Sequence, residues 1–416
     1  MATDYLPGNR LTLLNSGAEY FPALLAAIAG ASREIFIETY IYANDEIGKQ
    51  VSAALCRAAA RGVVVNVIVD GFGGSNFSAD FLPELTAAGI RAMLYRPELG
   101  RFKLRRHRLR RLHRKLAVID ARLAFVGGIN ITDDNNAPPG LQPRYDYAVA
   151  VEGPLVERIL HTMQRMWEVV AWVNFQRRYR LHTPLSLDGR GAGGAGEDAP
   201  QAVEEPPGNQ RAALLIRDNL LHRNDIHNAY LDAIAGAKKE ILIANAYFLP
   251  GVRFNRALQA AARRGVRVTV LLQGKTDHPL LRYATQALYQ WMLKQGIRIF
   301  EYEKSFMHAK VAVIDDLWAT VGSSNIDPFS LLLAKEANVA VRDCAFASQL
   351  RASLETAISA GAKETRLADL IRQPWHSRFV RWVSYSLIRA LTGLTGYGQK
   401  LWGADEEIAA VKRQDQ

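Results

Sequence analysis

Residues 113–130 of this chain read HRKLAVIDARLAFVGGIN, and residues 308–325 repeat the pattern as HAKVAVIDDLWATVGSSN. Both stretches have the spacing His-x-Lys, four residues, Asp, six residues, Gly-x-x-Asn. The apolar residues after each lysine are nearly continuous, which is typical of a strand buried on both faces. Two copies of so specific a pattern, in register, indicate a duplicated fold organised around this hairpin.

The residue types in the pattern suit phosphate chemistry. Side chains two positions apart on a strand point to the same face, so His113 is expected beside Lys115, and His308 beside Lys310. A lysine neutralises phosphoryl oxygens, and an imidazole attacks phosphorus or transfers a proton. One copy supplies half of such a site, and two copies together supply a nucleophile, an acid and two cations around one phosphate.

The repeat extends beyond the motif. Residues 27–42 (AIAGASREIFIETYIY) parallel residues 233–248 (AIAGAKKEILIANAYF), and residues 58–71 parallel residues 261–274. Each half reads as helix, strand, helix, strand, helix, strand, motif hairpin, a further strand and a closing helix. This alternation predicts an α/β fold with a mixed, largely parallel sheet that is covered on both faces.

The paired motif resembles the signature of the phospholipase D superfamily. The resemblance implies two tandem phospholipase D-like α/β/α domains, related by a pseudo-two-fold axis, with one shared active site. It also implies a covalent phosphohistidine intermediate, no cofactor and no metal. Within the superfamily the sequence is similar to the cardiolipin synthases over roughly residues 11–342, including DGFGG at residues 70–74 and WATVGSSNIDPFSL in the second half.

The duplication predicts the domain boundaries. Residues 1–184 form the first domain and residues 210–362 the second. Residues 185–209 are rich in Gly, Asp, Glu and Pro and lack apolar periodicity, which predicts a flexible linker. Residues 363–416 depart from the repeat and are expected to form an amphipathic helix and a tail.

The predicted C-terminal helix covers residues 375–391, WHSRFVRWVSYSLIRAL. On a helix, one face would carry a set of apolar side chains with arginines beside or opposite it. The apolar set is Phe379, Trp382, Val383, Leu387 and Leu391. Two interpretations remain open: a helix in the membrane interface, or an ordinary helix packed on the second domain.

The resemblance assigns the catalytic signature, with His113 as the nucleophile and His308 as the general acid. The full set is His113, Lys115, Asp120, His308, Lys310 and Asp315. The spacing of the two aspartates suggests that they brace a strand end and do not touch phosphorus.

Further residues are expected around this set. A poised histidine needs an orienting partner, and the candidates are Asp146 and Glu336, each at the start of a strand after its motif. Neutral donors to the phosphate oxygens are expected from the Gly-x-x-Asn turns. These donors are Asn130, Ser323, Ser324 and Asn325.

The net charge of +11 predicts an anionic partner, either nucleic acid or a membrane surface. Residues 96–112 form a basic insert that the second half lacks. Its cations are Arg101, Lys103, Arg105, Arg106, Arg108, Arg110 and Arg111. The insert leads into His113, so it is expected to line the entrance for lipid and to hold the protein at an anionic membrane surface. A solvated charged face is the alternative interpretation.

Three functions are compatible with the sequence. The resemblance implies phosphatidyl transfer from one phosphatidylglycerol to another, which releases glycerol and gives cardiolipin through a phosphatidyl-histidine. Phospholipid hydrolysis or headgroup exchange is an alternative, as is nucleic-acid phosphodiester cleavage. Two-motif enzymes of the superfamily that repair DNA tend to lack the motif aspartate, which both copies here retain. The expected partner is therefore an anionic membrane with phosphatidylglycerol and cardiolipin, not nucleic acid, and the oligomeric state is left open.

Cysteine content and hydropathy predict the location. Cys56 and Cys344 are the only cysteines and form no disulfide framework, which is typical of a reducing compartment. No secretory signal or lipidation motif is visible, and the early apolar stretch at residues 21–31 is too short to span a bilayer. We expect a peripheral protein on the cytoplasmic side of the cell membrane.

Overall fold

The fold is described from a computed structural model. It describes residues 3–96, 110–137, 139–174, 207–218, 222–275, 278–328 and 334–394. Most of the predicted linker and the tail beyond residue 394 lie outside the described residues. Five cations of the basic insert also lie outside them, namely Arg101, Lys103, Arg105, Arg106 and Arg108.

The first half alternates strands and helices and ends with a long helix. Its strands are β1 (Leu6–Asn15), β2 (Glu34–Thr39), β3 (Val64–Asp70), β4 (Arg91–Tyr95), β5 (Arg111–Leu112), β6 (Leu116–Ile119), β7 (Leu123–Gly127), β8 (Arg144–Tyr145) and β9 (Tyr147–Glu152). Its helices are α1 (Ser16–Gly30), α2 (Glu46–Ala60), α3 (Phe77–Asp80), α4 (Leu82–Ala87) and α5 (Leu155–Val173).

The second half repeats this order and adds three elements at its end. Its strands are β10 (Gln210–Arg217), β11 (Glu240–Asn245), β12 (Arg267–Gln273), β13 (Arg298–Tyr302), β14 (Phe306–Met307), β15 (Lys310–Ile314), β16 (Trp318–Gly322), β17 (Ala334–Arg342) and β18 (Ala362–Thr365). Its helices are α6 (Asp225–Gly236), α7 (Val252–Arg263), α8 (Pro279–Gln286), α9 (Tyr289–Lys294), α10 (Cys344–Gly361), α11 (Leu367–Ile371) and α12 (Trp375–Leu394).

The two halves share one continuous sheet. Its strand order is β18-β13-β12-β11-β15-β16-β17-β10-β1-β9-β7-β6-β2-β3-β4. In the first half β2, β3 and β4 are parallel, and in the second half β11, β12 and β13 are parallel while the edge strand β18 pairs antiparallel with β13. The motif hairpin pairs antiparallel with its neighbours. The mixed sheet covered by helices is therefore confirmed, but the expectation that it is largely parallel is wrong. Among the described strands, only four pairs along the strand order are parallel, namely β2–β3, β3–β4, β11–β12 and β12–β13, because the motif hairpins and the central strands all pair antiparallel.

The first strand of each half was not predicted. β1 and β10 precede the first helix of their halves and pair with each other at the centre of the sheet. The start of β1, LPGNR, contains proline, glycine and polar residues, which weaken the pattern of a strand. The junction of the halves therefore rests on strands that the repeat analysis missed.

Helices cover both faces of the sheet. On one face, α1 and α2 close the core of the first half, and α6 and α7 close that of the second. On the other face, α5 and α10 lie over a core that both halves share, with Trp167 and Val149 in the same cluster as Val339. α5 contacts β10 and α10 contacts β1, so each helix also packs against the other half.

The last helix, α12, packs against α8. Ile388 is fully buried there in a small apolar cluster with Leu249 and Ala284. A set of large apolar side chains of α12 is nevertheless between 39% and 72% exposed. This set is Trp375, Phe379, Val380, Trp382, Val383, Leu387 and Leu391. The helix therefore packs on the second half, as one interpretation held, and leaves an uncovered apolar face, as the other required.

Within the described ranges, no helix combines the length and the apolar character that a bilayer span requires.

Candidate active site

Each motif histidine is placed by a short strand that pairs with the opposite half. β5 runs parallel to the start of β17, and the His113 N–H donates to the Lys335 carbonyl at 3.0 Å. β14 runs parallel to β8, and the His308 N–H donates to the Tyr145 carbonyl at 2.7 Å. The residue after Lys335 is Glu336, and the residue after Tyr145 is Asp146. Each pairing therefore brings a motif histidine next to a carboxylate of the other half.

These carboxylates are the two predicted orienting residues. His113 Nδ1 lies 3.0 Å from Glu336 Oε2, and His308 Nδ1 lies 2.7 Å from Asp146 Oδ2. Each histidine therefore takes its carboxylate from the other half. An ionised carboxylate only accepts hydrogen bonds, so Nδ1 of His113 carries the proton and Nε2 of the neutral ring does not. Nδ1 of His308 has Lys310 Nζ at 2.7 Å as well as the Asp146 carboxylate.

The two motif lysines are buried beside the histidines. Lys115 Nζ donates to the His113 carbonyl at 2.8 Å, and Lys310 Nζ contacts the His308 carbonyl and lies 3.5 Å from Asp146 Oδ2. Burial lowers the pKa of Lys115 to about 7 and that of Lys310 to about 8, although the nearby carboxylates oppose this shift. Part of the cationic charge is thus lost in the mildly alkaline range unless an anion binds.

The pKa values of the other four groups favour neutral rings and ionised acids. Burial lowers the pKa of His113, and burial together with Lys310 lowers the pKa of His308 to about 3. Burial alone would raise the pKa of Glu336 and of Asp146, but the adjacent histidines and cations hold both below their usual values. The charge of Lys310 also acts on His113, and that of Lys115 on His308, which places both motifs in one site.

The two sides of the site are not equivalent. A side chain at Gly128 would collide with the Asp146 carboxylate, whereas Ser323 at the same place in the second half donates its hydroxyl to Glu336 Oε2 at 2.5 Å. Arg217, fully buried, lies 3.8 Å from Glu336 and donates to the Ser324 hydroxyl at 3.0 Å. Glu336, the carboxylate that contacts His113, therefore also has a serine and an arginine next to it.

The expected phosphate donors also have contacts within the protein, and their contact with a phosphate stays a prediction. The hydroxyls of Ser323 and Ser324 are buried and engaged with Glu336 and Arg217, because the turn packs against β17 and β10. Asn130 accepts the Ile41 N–H at 3.0 Å through its side-chain oxygen, which leaves its amide group as a donor. For Asn130 and Asn325, contact with a phosphate stays a prediction.

The motif aspartates lie at the far end of their strands. Each follows a strand, β6 or β15, that begins at the lysine or one residue after it, so the aspartate lies roughly 16 Å from the lysine at 3.3 Å per residue. Asp120 has a φ of 53° in the hairpin turn and accepts backbone N–H groups from Ser32, Arg33 and Glu34 at 2.8 to 2.9 Å. Asp315 repeats this arrangement with residues 238–240. Their geometry agrees with a bracing function.

Sequence reasoning missed two side chains that hold β5 and β14, the short strands that lead into the motif histidines. Asp70, at the end of β3, accepts the Leu112 N–H at 2.8 Å, and Gln273, at the end of β12, accepts the Met307 N–H at 2.6 Å. In the sequence Asp70 stands out only as the first residue of the DGFGG turn. The signal available was the equivalent place of these two residues in the repeat, each at the end of its third strand.

Of the predicted entrance cations, two lie within the described residues. Arg111 stacks on the Phe72 ring, with its guanidinium carbon 4.6 Å from the ring centre, and lies 3.9 Å from Asp70 Oδ1. Arg110 lines a separate pocket beside Lys335. No group of three or more His, Cys, Asp or Glu residues suited to a metal occurs in the described segments, and the expectation that the reaction needs no metal stays a prediction.

Comparison with known proteins agrees with this architecture. A family described as "Cardiolipin synthase, PLD-like domain" matches residues 24–167 and 230–358, which together exceed half of the chain. Cardiolipin synthase B of Escherichia coli (strain K12) is 39% identical over 397 residues, which cover 95% of this chain and 92% of that protein. The major cardiolipin synthase ClsA of Bacillus subtilis (strain 168) is 30% identical and covers 88% of this chain and 72% of that protein.

Solved structures show the same fold. The phosphatidylserine synthase of Haemophilus influenzae Rd KW20 has a TM-score of 0.64 at 15% identity and covers 94% of this chain and 96% of that chain. The fold and the paired motif define a two-domain enzyme of the phospholipase D superfamily. Within that superfamily, the chain belongs to the cardiolipin synthase family, a family of phosphatidyltransferases.

Proposed function

We propose that the protein makes cardiolipin by transferring a phosphatidyl group from one phosphatidylglycerol to a second. The observation that carries the proposal is the pair of histidine–carboxylate contacts formed across the two halves, with a buried lysine beside each ring. The names of the relatives, cardiolipin synthases, supply the substrate class.

In the first step, Nε2 of His113 attacks phosphorus and the bond from phosphorus to the glycerol oxygen breaks. The leaving oxygen takes a proton from Nε2 of His308, and glycerol departs. Lys115 and Lys310 stabilise the charge on the phosphoryl oxygens, which is worth most in a buried site. The negative charge of the bound phosphate raises the pKa of His308, which makes its protonation compatible with the low value in the empty site.

In the second step, the terminal glycerol hydroxyl of another phosphatidylglycerol attacks phosphorus. Its proton passes to Nε2 of His308, the bond from phosphorus to His113 breaks, and cardiolipin leaves. Transfer to a lipid in place of water requires the site to open onto the membrane and to exclude bulk water. The uncovered apolar face of α12 and the basic residues of the insert support docking on an anionic membrane, and we propose the cytoplasmic side of the cell membrane as the place.

The test uses purified protein with phosphatidylglycerol vesicles, quenching in denaturant at neutral pH to preserve the phosphorus–nitrogen bond, and mass analysis of lipids and peptides. We expect cardiolipin and glycerol as products and a phosphatidyl adduct on the peptide that contains His113. His113→Ala is expected to abolish adduct and turnover, while His161→Ala, at an exposed position of α5, serves as the matched control. An adduct on His308 would reverse the two assignments, and phosphatidic acid as the dominant product would favour hydrolysis.

A further inference from the structure

A second cationic site lies on the reverse side of the strands that carry His113 and Glu336. Side chains alternate along a strand, so Arg114 and Lys335 point away from the catalytic pocket. A pocket of about 210 Å³ opens there between the end of β4 and the last turn of α5. Its lining residues are Tyr95, Arg96, Arg110, Val169, Val170, Val173, Asn174 and Lys335.

The charge in this pocket is predominantly positive. Arg114 is paired with buried Glu38 at 2.8 Å, which leaves that carboxylate committed. No described residue gives Lys335 Nζ a hydrogen bond or an ion pair, and Asp218 acts on it only at longer range. Burial and the charge of Arg114 lower the pKa of Lys335 to about 8, although Asp218 and Glu38 oppose this shift.

The wall opposite these cations is apolar and exposed. Val169 and Val173 are 53% and 52% exposed, and Trp172 beside them is 72% exposed. The Asn174 amide donates to the Leu94 carbonyl at 3.0 Å, which fixes the end of α5 against β4. Exposed apolar side chains beside a cationic pocket match a ligand with an anionic head and a hydrocarbon tail.

The internal repeat shows that the pocket is specific to the first half. At the equivalent place beside His308, Tyr145 stands where Lys335 stands beside His113. Each of the two residues precedes an orienting carboxylate, and they pair with β14 and β5 respectively. Tyr145 stacks on Tyr302, the counterpart of Tyr95, with ring centres 5.6 Å apart. Ala309 likewise takes the place of Arg114. The same fold thus carries an aromatic stack on one side and an open cationic pocket on the other.

We propose that this pocket binds the phosphate of an anionic membrane phospholipid other than the one in the catalytic site. Arg96, Arg110 and Lys335 contact the phosphate, and the acyl chains lie along Val169, Trp172 and Val173. The volume is below the roughly 300 Å³ at which small-molecule sites begin, so the pocket holds a headgroup and leaves the chains in the bilayer. The proposal rests on the proposed function only in taking a membrane phospholipid as the ligand.

The experiment uses the full chain and vesicles that contain phosphatidylglycerol with a photoactivatable acyl chain. After irradiation, labelled peptides are identified by mass spectrometry. We expect labelling at residues 169–174 in the parent and equally in His113→Ala, because the site needs no turnover. Lys335→Gln is expected to lower this labelling about five-fold, the effect of one basic residue at an anionic lipid surface. Lys363→Gln, the same charge change at an exposed edge-strand position, is the matched control.

Val173→Asp is a second variant, at a position exposed enough to leave folding intact, and is also expected to lower the labelling. Unchanged labelling in both variants, or equal labelling by a phosphatidylcholine analogue, would overturn the proposal. Protection by inorganic phosphate as effective as that by short-chain phosphatidylglycerol would show a free-phosphate site instead. If the parent chain makes cardiolipin but shows no labelling at residues 169–174, the pocket alone is rejected. If the parent chain is labelled at residues 169–174 but makes no cardiolipin, the proposed function alone is rejected.

Discussion

Nδ1 of His113 lies 3.0 Å from Oε2 of Glu336, a residue 223 positions further along the chain. The reciprocal contact joins His308 to Asp146 at 2.7 Å. Each half therefore holds a histidine without its carboxylate and a carboxylate without its histidine. The site is complete only when the two halves are joined through the central strands and the shared core.

We expect Glu336→Gln and Asp146→Asn each to lower kcat by about 10²-fold with little change in KM. The carboxylate fixes the ring tautomer and stabilises the charge that develops on it, so its effect falls on the chemical steps. Steady-state kinetics on phosphatidylglycerol vesicles measure this effect. Ser323→Ala, which removes a hydroxyl from Glu336 but keeps the carboxylate, is the control and is expected to cost less. A parental kcat in Glu336→Gln would reduce Glu336 to a structural residue.

The lysine pKa values predict an alkaline limit for activity. The charged form of each lysine exists below its pKa, and these values are about 7 for Lys115 and about 8 for Lys310 in the empty site. We expect kcat/KM, which reports the free enzyme, to fall as pH rises through 7 to 8. The corresponding fall in kcat is expected at higher pH, because bound phosphate stabilises both ammonium groups. A kcat/KM that stays constant to pH 9.5, with vesicle binding checked at each pH, contradicts this assignment.

Substitution of Asp120 is expected to affect stability more than chemistry. Asp120→Ala removes the acceptor of three backbone N–H groups and puts alanine at a positive φ, which is expected to cost about 1–3 kcal/mol of unfolding free energy. Denaturant unfolding measures the loss, and kcat per folded molecule is expected to stay within about two-fold of the parent. Asp120→Asn tolerates the turn and is the milder control. A stable variant with a large loss of kcat would return Asp120 to the catalytic set.

The exposed face of α12 is expected to dock on the membrane. Phe379→Asp combined with Trp382→Asp places charges on an uncovered apolar face and is expected to weaken binding to anionic vesicles. It is also expected to raise the ratio of phosphatidic acid to cardiolipin, since water reaches the intermediate more readily. Leu317→Asp, at another exposed apolar position, is the control. Parental vesicle binding and product ratio would show that the product is selected inside the pocket.

The sequence by itself determined the motif residues, the duplication and most of the element order. These features are local: the spacing of His113, Lys115 and Asp120 recurs at His308, Lys310 and Asp315, and the apolar runs give the strands. The sequence also identified Asp146 and Glu336 as the carboxylates, from their places after each motif.

Only the tertiary structure decided which carboxylate serves which histidine. That choice depends on β5 pairing with β17 and β14 with β8, contacts between residues more than 150 positions apart that leave no periodic trace in the sequence. Packing between distant strands also produces three further features. These are the hydrogen bond from Ser323 to Glu336, the burial of Arg217 near Glu336, and the pocket beside Lys335. Local pattern reports which face of a strand is buried, whereas packing between distant strands sets which side chains meet and how their charges shift.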